Sequence, residues 1–222
     1  MIDLNLKQRT VGIIGAKRSG KTYFTGKLSS RLIEDGNRLI VFDTIGELGK
    51  LIKPKLKMYE IAPKEIEKQA VAFGLIVSNY KGKKAVGVNL VNLTRDEIVY
   101  FTDVTLTTID KIKNTYWVFD EVAEYLNQFY RQSKELERLI RHGGNWDNTF
   151  IFNTQRPAYL NKNTFNLIDI LISFRLNWTR DLTVLKELLS NTGKNDSDIK
   201  KEVKEITQQK VGEYKAYKLY LS

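Results

Sequence analysis

The chain has 222 residues, and 36 Lys and Arg against 26 Asp and Glu give it a formal net charge of +10. With 42% hydrophobic and 28% charged residues, it has the composition of a soluble globular protein, which excludes wholesale disorder. The lack of cysteine excludes disulfides, thiolate zinc sites and a cysteine nucleophile, and the single histidine, His142, excludes a multi-histidine metal site. The positive charge fits either a polyanionic partner such as nucleic acid or a lysine-rich surface without such a partner.

The N-terminal residues do not have the charged and then apolar layout of a signal peptide. All apolar stretches are short and interrupted by charged residues, so none is expected to span a bilayer. We therefore expect a cytoplasmic protein.

Short apolar runs alternate with longer amphipathic stretches, which predicts an α/β fold with a mostly parallel central sheet flanked by helices. The predicted strands are Thr10–Ile14, Arg38–Phe42, Met58–Ile61, Ala85–Leu90, Thr115–Phe119, Thr149–Phe152 and Ile172–Leu176. The predicted helices are Gly20–Glu34, a lysine-rich helix within 50–84, Thr94–Lys113 and Glu121–Arg141, which is ended by Gly143 and Gly144.

The last thirty or so residues have a different character. Asn191–Asp198 is polar and predicts a loop, Ile199–Gln208 predicts a charged helix, and Tyr214–Leu221 alternates as an edge strand or hairpin arm does. We expect one domain with a core over about 7–190 and a small C-terminal appendage over about 191–222, which could serve as an oligomer contact.

A glycine-rich segment after the first predicted strand, Gly15 to Thr22, reads GAKRSGKT and matches G-x-x-x-x-G-K-[ST] in full. Glycines allow successive backbone N–H groups to turn toward phosphate oxygens, and the helix that follows adds its N-terminal dipole. Lys21 would reach the β- and γ-phosphates of ATP, and the Thr22 hydroxyl would ligate Mg²⁺. The predicted nucleotide-binding residues are Gly15, Ala16, Lys17, Arg18, Ser19, Gly20, Lys21, Thr22 and Tyr23.

A pair of carboxylates, Asp120 and Glu121, follows the apolar strand Thr115–Phe119, as in a Walker B motif. Asp120 is placed to hold Mg²⁺, and Glu121 is placed to act as general base on the attacking water. The alternative is two solvated carboxylates at a helix N-terminus, where negative charge is favourable in any protein. Because a small-molecule kinase needs no water activator, the pair favours an ATPase.

A polar segment, Asn153–Pro157, follows the strand Thr149–Phe152. The Gln155 amide could sense the γ-phosphate or orient the lytic water. The residues alone are equally compatible with ordinary turn chemistry, since Asn and Pro are common in loops.

Together these motifs resemble those of the HerA–FtsK superfamily of ring-forming DNA-pumping ATPases, which have a RecA/ASCE-like P-loop fold. Asn153–Pro157 is similar to that family's TQRP segment, and Asp43–Glu47 is similar to its D-x-x-G-E segment. Arg138–Trp146 resembles its R-x-G-R-x-x-G stretch, and the resemblance extends over 7–189.

The resemblance implies an ATPase that uses ATP and Mg²⁺ and assembles as a homo-oligomeric ring, a hexamer or pentamer, around double-stranded DNA. It makes Gln155 the catalytic sensor, and an arginine from a neighbouring subunit completes the site. Arg141 and Arg138 are the candidates for that arginine, with Arg156 as a contact within the same subunit. Basic residues near a helix C-terminus are also favoured by the helix dipole alone.

A bare core of this size is most similar to the stand-alone genome-packaging ATPases of double-stranded DNA viruses. This implies capsid vertex proteins as further partners and a location in the host cytoplasm or the virion. One alternative is a HerA-like or conjugation-type translocase of a cell or plasmid. An ATP-switched assembly or secretion protein that moves no nucleic acid is an alternative of another class, and a small-molecule kinase is the remaining one.

Lysine-rich segments are candidate contacts for the DNA backbone, which would make binding salt-dependent and independent of sequence. The candidates are Lys50, Lys53, Lys55, Lys57, Lys81, Lys83 and Lys84, together with Tyr159, Lys162 and Asn163. For any single lysine, a role in solubility is the simpler interpretation. We expect Trp117 to be a core residue and His142 to lie at a helix C-terminus.

Overall fold

The fold is described by a computed structural model that covers residues 6–53, 56–79, 85–109 and 112–219. Its strands are β1 (Thr10–Ile14), β2 (Arg38–Asp43), β3 (Lys57–Glu60), β4 (Ala85–Asn89), β5 (Thr115–Phe119), β6 (Thr149–Thr154), β7 (Ile170–Phe174) and β8 (Tyr214–Lys218). Its helices are α1 (Lys21–Glu34), α2 (Leu48–Leu51), α3 (Ile66–Asn79), α4 (Arg95–Thr108), α5 (Lys134–Gly143), α6 (Lys162–Phe165), α7 (Thr179–Ser190) and α8 (Asp196–Thr207).

The strands form one sheet in the order β3-β4-β2-β5-β6-β1-β7-β8. Neighbouring strands are parallel except for β7 and β8, which are antiparallel. The carboxyl ends of β1, β2, β5 and β6 therefore lie at the same edge, where ligands bind in open α/β sheets. The predicted α/β fold with a mostly parallel sheet is confirmed.

Helices cover both faces of the sheet, because its central strands are apolar on both sides. Val11 and Ile13 of β1 belong to the buried cluster that includes residues of α1 and α2. Phe42, Trp117 and Phe119 belong to the cluster on the other face, with residues of α3, α4, α5 and α7. Trp117 is fully buried, which confirms its predicted place in the core. Among the described residues, no helix combines the length and apolar character needed to cross a membrane.

The predicted helix Glu121–Arg141 is wrong in its first half. A short 3₁₀ turn at Val122–Glu124 is followed by irregular backbone, and α5 begins only after Ser133, whose hydroxyl caps the helix. Glu121 has a left-handed backbone (φ +47°), and the Asn127 side chain accepts a hydrogen bond from the amide of Phe129. The local hydrogen bond at Asn127 and the left-handed backbone at Glu121 both interrupt a continuous helix here.

Other boundaries differ more modestly from those predicted. Strand β7 begins and ends two residues earlier than predicted. Helix α4 ends at Thr108 instead of Lys113, because the backbone of Ile109 is extended. Asn195 caps α8, so this helix begins within the segment predicted to be a loop. Helix α7 was not predicted at all.

The C-terminal residues join the same sheet and core. Strand β8 pairs with β7, as the predicted edge strand does, and Ile199, Val203 and Ile206 of α8 lie in the core cluster with Leu171 and Leu185. The segment expected to be an appendage is therefore packed on the central sheet.

Candidate active site

The glycine-rich loop has the strand–loop–helix context that its motif requires. Strand β1 ends at Ile14 and α1 begins at Lys21. A Cβ on Gly15 would lie 2.6 Å from the Cβ of Phe174, so only glycine fits there. Gly20 has a φ of +106°, a conformation that side chains disfavour. The Ala16 amide donates to the Arg175 carbonyl at 2.7 Å, which ties the loop to the end of β7.

The Lys21 side chain turns into this loop. It is only 4% exposed, and its Nζ donates to the Ala16 carbonyl at 2.9 Å. Burial lowers the pKa of Lys21 to about 8, against the opposing effect of the negative charges of Glu121 and Asp120. The loop lysine and both predicted acidic residues therefore share one electrostatic environment. The side chains of Lys17 and Tyr23 are exposed at the rim.

The other residues of the loop take varied positions. Arg18 is exposed and has a left-handed backbone (φ +62°), whereas Ser19 is buried. Thr22 follows Lys21 in the first turn of α1 and is partly buried. The helix N-terminus therefore opens directly into the loop, as an anion site at a helix N-terminus requires.

Asp120 is a buried carboxylate, 1% exposed, at the carboxyl end of β5. Its Oδ1 accepts a hydrogen bond from Asn153 Nδ2 at 2.8 Å, whereas its Oδ2 has no partner among the described residues. Burial, together with the charges of Asp43 and Glu121, raises the pKa of Asp120 to about 8. A buried acceptor without a partner is costly, and a cation would relieve that cost.

The site fits a Mg²⁺ ion that is bound partly by protein side chains and partly by the phosphates of a nucleotide. The described part of the chain holds no group of three or more His, Asp or Glu side chains that could bind a metal. Mg²⁺ typically takes one or two protein ligands together with phosphate and water oxygens. Asp120 and the predicted ligand Thr22 meet that requirement.

Replacing Asp120 by Asn should stabilise the protein without ligands. Because the pKa of Asp120 is raised in the fold, unfolding releases its proton, and the free energy of unfolding of the wild type falls as pH rises from about 4 to about 8. The Asp120→Asn variant lacks this loss, so its Tm should exceed that of the wild type by about 5 °C at pH 8.5. Differential scanning calorimetry without Mg²⁺ and nucleotide measures the effect. At pH 5 the two proteins should differ little, and an equal difference at both pH values would contradict the assignment.

Glu121 is held by two groups at the carboxyl end of β6, one on the last residue of the strand and one on the residue after it. Its carboxylate accepts a hydrogen bond from Thr154 Oγ1 at 2.5 Å and from the Gln155 amide, at 3.0 Å to Oε2. Burial raises the pKa of Glu121, and these hydrogen bonds oppose the rise. The predicted base is therefore fixed to the same segment that carries the predicted sensor. The contacts of Thr154 with Glu121 and of Asn153 with Asp120 were not predicted, because sequence spacing does not report contacts between strands.

Gln155 lies beside the glycine-rich loop. The Gln155, Lys17 and Arg156 side chains line one cavity of about 430 Å³, together with Trp178 and Asp181. The Arg156 guanidinium lies 5.6 Å from the centre of the Trp178 ring. The loop and the polar segment after β6 therefore meet as predicted for a nucleotide sensor, and the sensor role of Gln155 stays a prediction.

The arginines of α5 lie apart from this group. Arg138 is paired with Glu135 and Arg141 with Glu137, at 2.6 and 2.7 Å. Arg141 borders a cavity with Thr10, which begins β1, so it lies at the sheet edge opposite to the glycine-rich loop. Arg141 therefore lies far from the site of its own chain. The action of Arg138 or Arg141 in a neighbouring subunit stays a prediction. His142 lies in the last turn of α5, as predicted.

The Asp43–Glu47 segment has a local structural role. The Asp43 carboxylate is buried and accepts hydrogen bonds from the amides of Gly46 and Gly49, at 2.8 and 2.9 Å. Glu47 is paired with Lys50 on the surface. Asp43 therefore stabilises the loop that leads from β2 into α2.

The predicted DNA-contact residues are only partly described. Lys50, Lys53, Lys57, Lys162 and Asn163 are exposed, and Tyr159 is partly buried. Lys55, Lys81, Lys83 and Lys84 lie outside the described residues. Their roles stay predictions.

Comparison with known proteins identifies one family model and a set of similar folds. The model described as "Helicase HerA, central domain" matches residues 1–187. The genome packaging NTPase B204 from Sulfolobus turreted icosahedral virus 2, in complex with ATP-gammaS, has a TM-score of 0.63 at 14% identity, covering 97% of this chain and 94% of that chain. The same protein in complex with AMPPCP has a TM-score of 0.60 at 16% identity, covering 95% and 92%. No curated protein sequence matches the chain.

Proposed function

Because the chain belongs to the HerA helicase central-domain family, we propose that it hydrolyses ATP and uses the energy to translocate double-stranded DNA. The observation that carries the proposal is the hydrogen-bonded group of Glu121, Thr154 and Gln155 at the same sheet edge as the glycine-rich loop. The general base and the sensor are fixed to one another beside the glycine-rich loop of residues 15–22, which we call the phosphate cradle. This arrangement fits cleavage of a phosphoanhydride bond by water.

Each residue of the site has a defined task in this chemistry. Backbone N–H groups of residues 15–22 and the Lys21 ammonium bind the β- and γ-phosphates. Glu121 accepts a proton from the attacking water, and the side-chain amide of Gln155 orients that water toward the γ-phosphate. Mg²⁺, held by Asp120 and Thr22, would neutralise negative charge on the phosphates.

Two loops that leave the catalytic strands are suited to contact DNA. The loop after β5 exposes Phe129 and Tyr130, each 62% exposed, and Arg131. It is joined to the loop after β6 by backbone hydrogen bonds, among them one from the Gln128 amide to the Tyr159 carbonyl at 2.9 Å. Since these loops begin at Glu121 and Gln155, contact with a DNA strand can be transmitted to the site.

The genome-packaging function of B204, as its name states it, extends the proposal to a viral packaging motor. That protein and this chain cover one another almost completely, with the same fold. The proposed active form is a homo-oligomeric ring. In this ring, Arg138 or Arg141 of one subunit leaves its ion pair with a glutamate of the same chain and contacts the phosphates of the nucleotide bound to the next subunit. Capsid vertex proteins would anchor such a ring.

Reversing two loop charges should weaken DNA binding. Arg131 lies on the loop after β5, and Lys162 begins α6 at the end of the loop after β6; both are exposed. We therefore expect the double variant Arg131→Glu/Lys162→Glu to raise the Kd for a duplex about tenfold or more at low salt. The slope of log K against log salt should fall by about two. Fluorescence anisotropy with a labelled duplex measures both quantities.

The matched control is Lys200→Glu/Lys201→Glu, which makes the same change of charge on exposed residues of α8. It should leave the Kd within about twofold of the wild type. An equal loss in both variants would contradict the assignment of the loops. A wild type that binds no duplex even at low salt would favour an assembly or secretion protein instead.

A further inference from the structure

A turn near the C-terminus, residues 209–213, lies against the glycine-rich loop. The Gly212 amide donates to the Ser19 carbonyl at 2.9 Å. A Cβ built on Gly20 would lie 3.1 Å from the Cα of Gly212, so the two backbones touch directly. The turn is therefore part of the rim of the phosphate cradle, although it is distant in sequence.

The order of the strands sets the direction in which a bound nucleotide must extend. Glu121 and Gln155 follow β5 and β6, on one side of β1, whereas β7 and β8 lie on the other side. If the chain is an ATPase, as proposed above, the γ-phosphate must face Glu121 and Gln155. The nucleoside then leaves the cradle on the side of β7 and β8, where the turn before β8 lies.

The turn has a fixed conformation of its own. The Lys210 amide donates to Glu213 Oε2 at 2.7 Å, and the Glu213 amide donates to the Lys210 carbonyl at 3.1 Å. Gly212 has a φ of +87°, and a Cβ built on it would meet nothing within 4 Å. This side of the turn therefore borders open space next to the cradle.

Aromatic packing anchors the turn to the loop's own helix. Tyr214, the first residue of β8, lies 4.8 Å from Phe24 of α1 and 5.4 Å from Phe174 of β7, between ring centres. Phe24 and Phe174 also contact one another at 5.7 Å. The turn and the cradle are thus held in a fixed relation, so a ligand contacting both needs little reorganisation.

Two buried polar atoms, one in the turn and one in the glycine-rich loop, have no hydrogen-bond partner among the described residues. Gln209 is only 8% exposed, and its Oε1 has no hydrogen-bond partner among the described residues. The same holds for the hydroxyl of Ser19, which is 1% exposed. Val211, between Gln209 and Gly212, is 68% exposed despite its apolar side chain. Unpaired buried acceptors and an exposed apolar side chain each cost free energy. A ligand with a hydrogen-bond donor and an apolar face would reduce both costs when it binds.

We propose that the turn 209–213 is the nucleoside subsite of the nucleotide-binding site. Val211 packs against the nucleoside of the bound nucleotide, and Gln209 Oε1 accepts a hydrogen bond from it. The C-terminal segment therefore completes the site instead of serving only as an appendage.

The test compares ligands with and without a nucleoside. Isothermal titration of the full chain with ADP and with tripolyphosphate, each with Mg²⁺, gives Kd values for the wild type, Val211→Ser and Gln209→Leu. We expect each variant to weaken ADP binding about fivefold to tenfold and to change tripolyphosphate binding less than about twofold. Tripolyphosphate binding shows at the same time that each variant is folded. Val91→Ser, another exposed valine at 48%, is the control and should change neither Kd.

Other outcomes would contradict the nucleoside subsite. Unchanged ADP binding in both variants, or equal losses for the two ligands, overturns the nucleoside subsite. A wild type that binds tripolyphosphate as tightly as ADP overturns it too, while leaving the phosphate cradle intact. A wild type that binds neither ligand overturns the proposed ATPase function, and the subsite with it.

Discussion

Glu121→Gln lowers kcat for ATP hydrolysis by about 10³-fold and leaves nucleotide binding nearly unchanged, because glutamine cannot accept the proton of the attacking water. Glutamine keeps the shape of glutamate, and its carbonyl oxygen can still accept the hydrogen bond from Thr154. Steady-state phosphate release measures the effect, with nucleotide binding followed separately by titration.

The pH dependence of this reaction gives an independent check of the base. Burial raises the pKa of Glu121, and a base must be deprotonated to act, so wild-type turnover should rise with pH through that pKa. The residual activity of Glu121→Gln should lack this rise.

The control for this variant is Glu124→Gln. Glu124 makes an ion pair with Arg95 at 2.8 Å and makes no hydrogen bond to Thr154 or Gln155 among the described contacts. Its replacement should leave kcat within about twofold. If Glu121→Gln hydrolysed ATP as fast as the wild type, Glu121 would not be the general base.

Lys21→Ala has the second large effect, and it acts on binding as well as on turnover. The Lys21 ammonium is buried in the loop, where a charge-assisted hydrogen bond to phosphate is strong. We expect the Kd for ATP to rise about 100-fold and hydrolysis to become undetectable. Lys200→Ala, at an exposed position of α8, is the control and should bind ATP as the wild type does. Equal turnover in Lys21→Ala and the wild type would contradict the catalytic assignment.

The loop and the acidic pair could be predicted because each is contiguous in sequence. Strand β1, residues 15–20 and α1 follow one another directly, and Asp120 and Glu121 follow β5. Apolar periodicity locates the strands, and the parallel sheet then brings their carboxyl ends together. These local signals were sufficient to predict the α/β fold.

Long-range hydrogen bonds explain the predictions that were wrong or missing. The segment 121–133 has the composition of a helix, but Glu121 bonds to Thr154 and the Gln128 amide bonds to the Tyr159 carbonyl. These bonds between loops override the local helical preference. The contact of Gly212 with the glycine-rich loop is equally invisible in the sequence, because nothing in its spacing points to residues 15–22.

ATP turnover with and without double-stranded DNA, at several salt concentrations, tests DNA translocation directly when the wild type is compared with Lys21→Ala. We expect duplex DNA of any sequence to stimulate the wild type, and the stimulation to decline as salt rises, since the contacts are to phosphates. Lys21→Ala should show no turnover in either condition. Wild-type turnover that duplex DNA leaves unchanged at low salt would contradict DNA translocation.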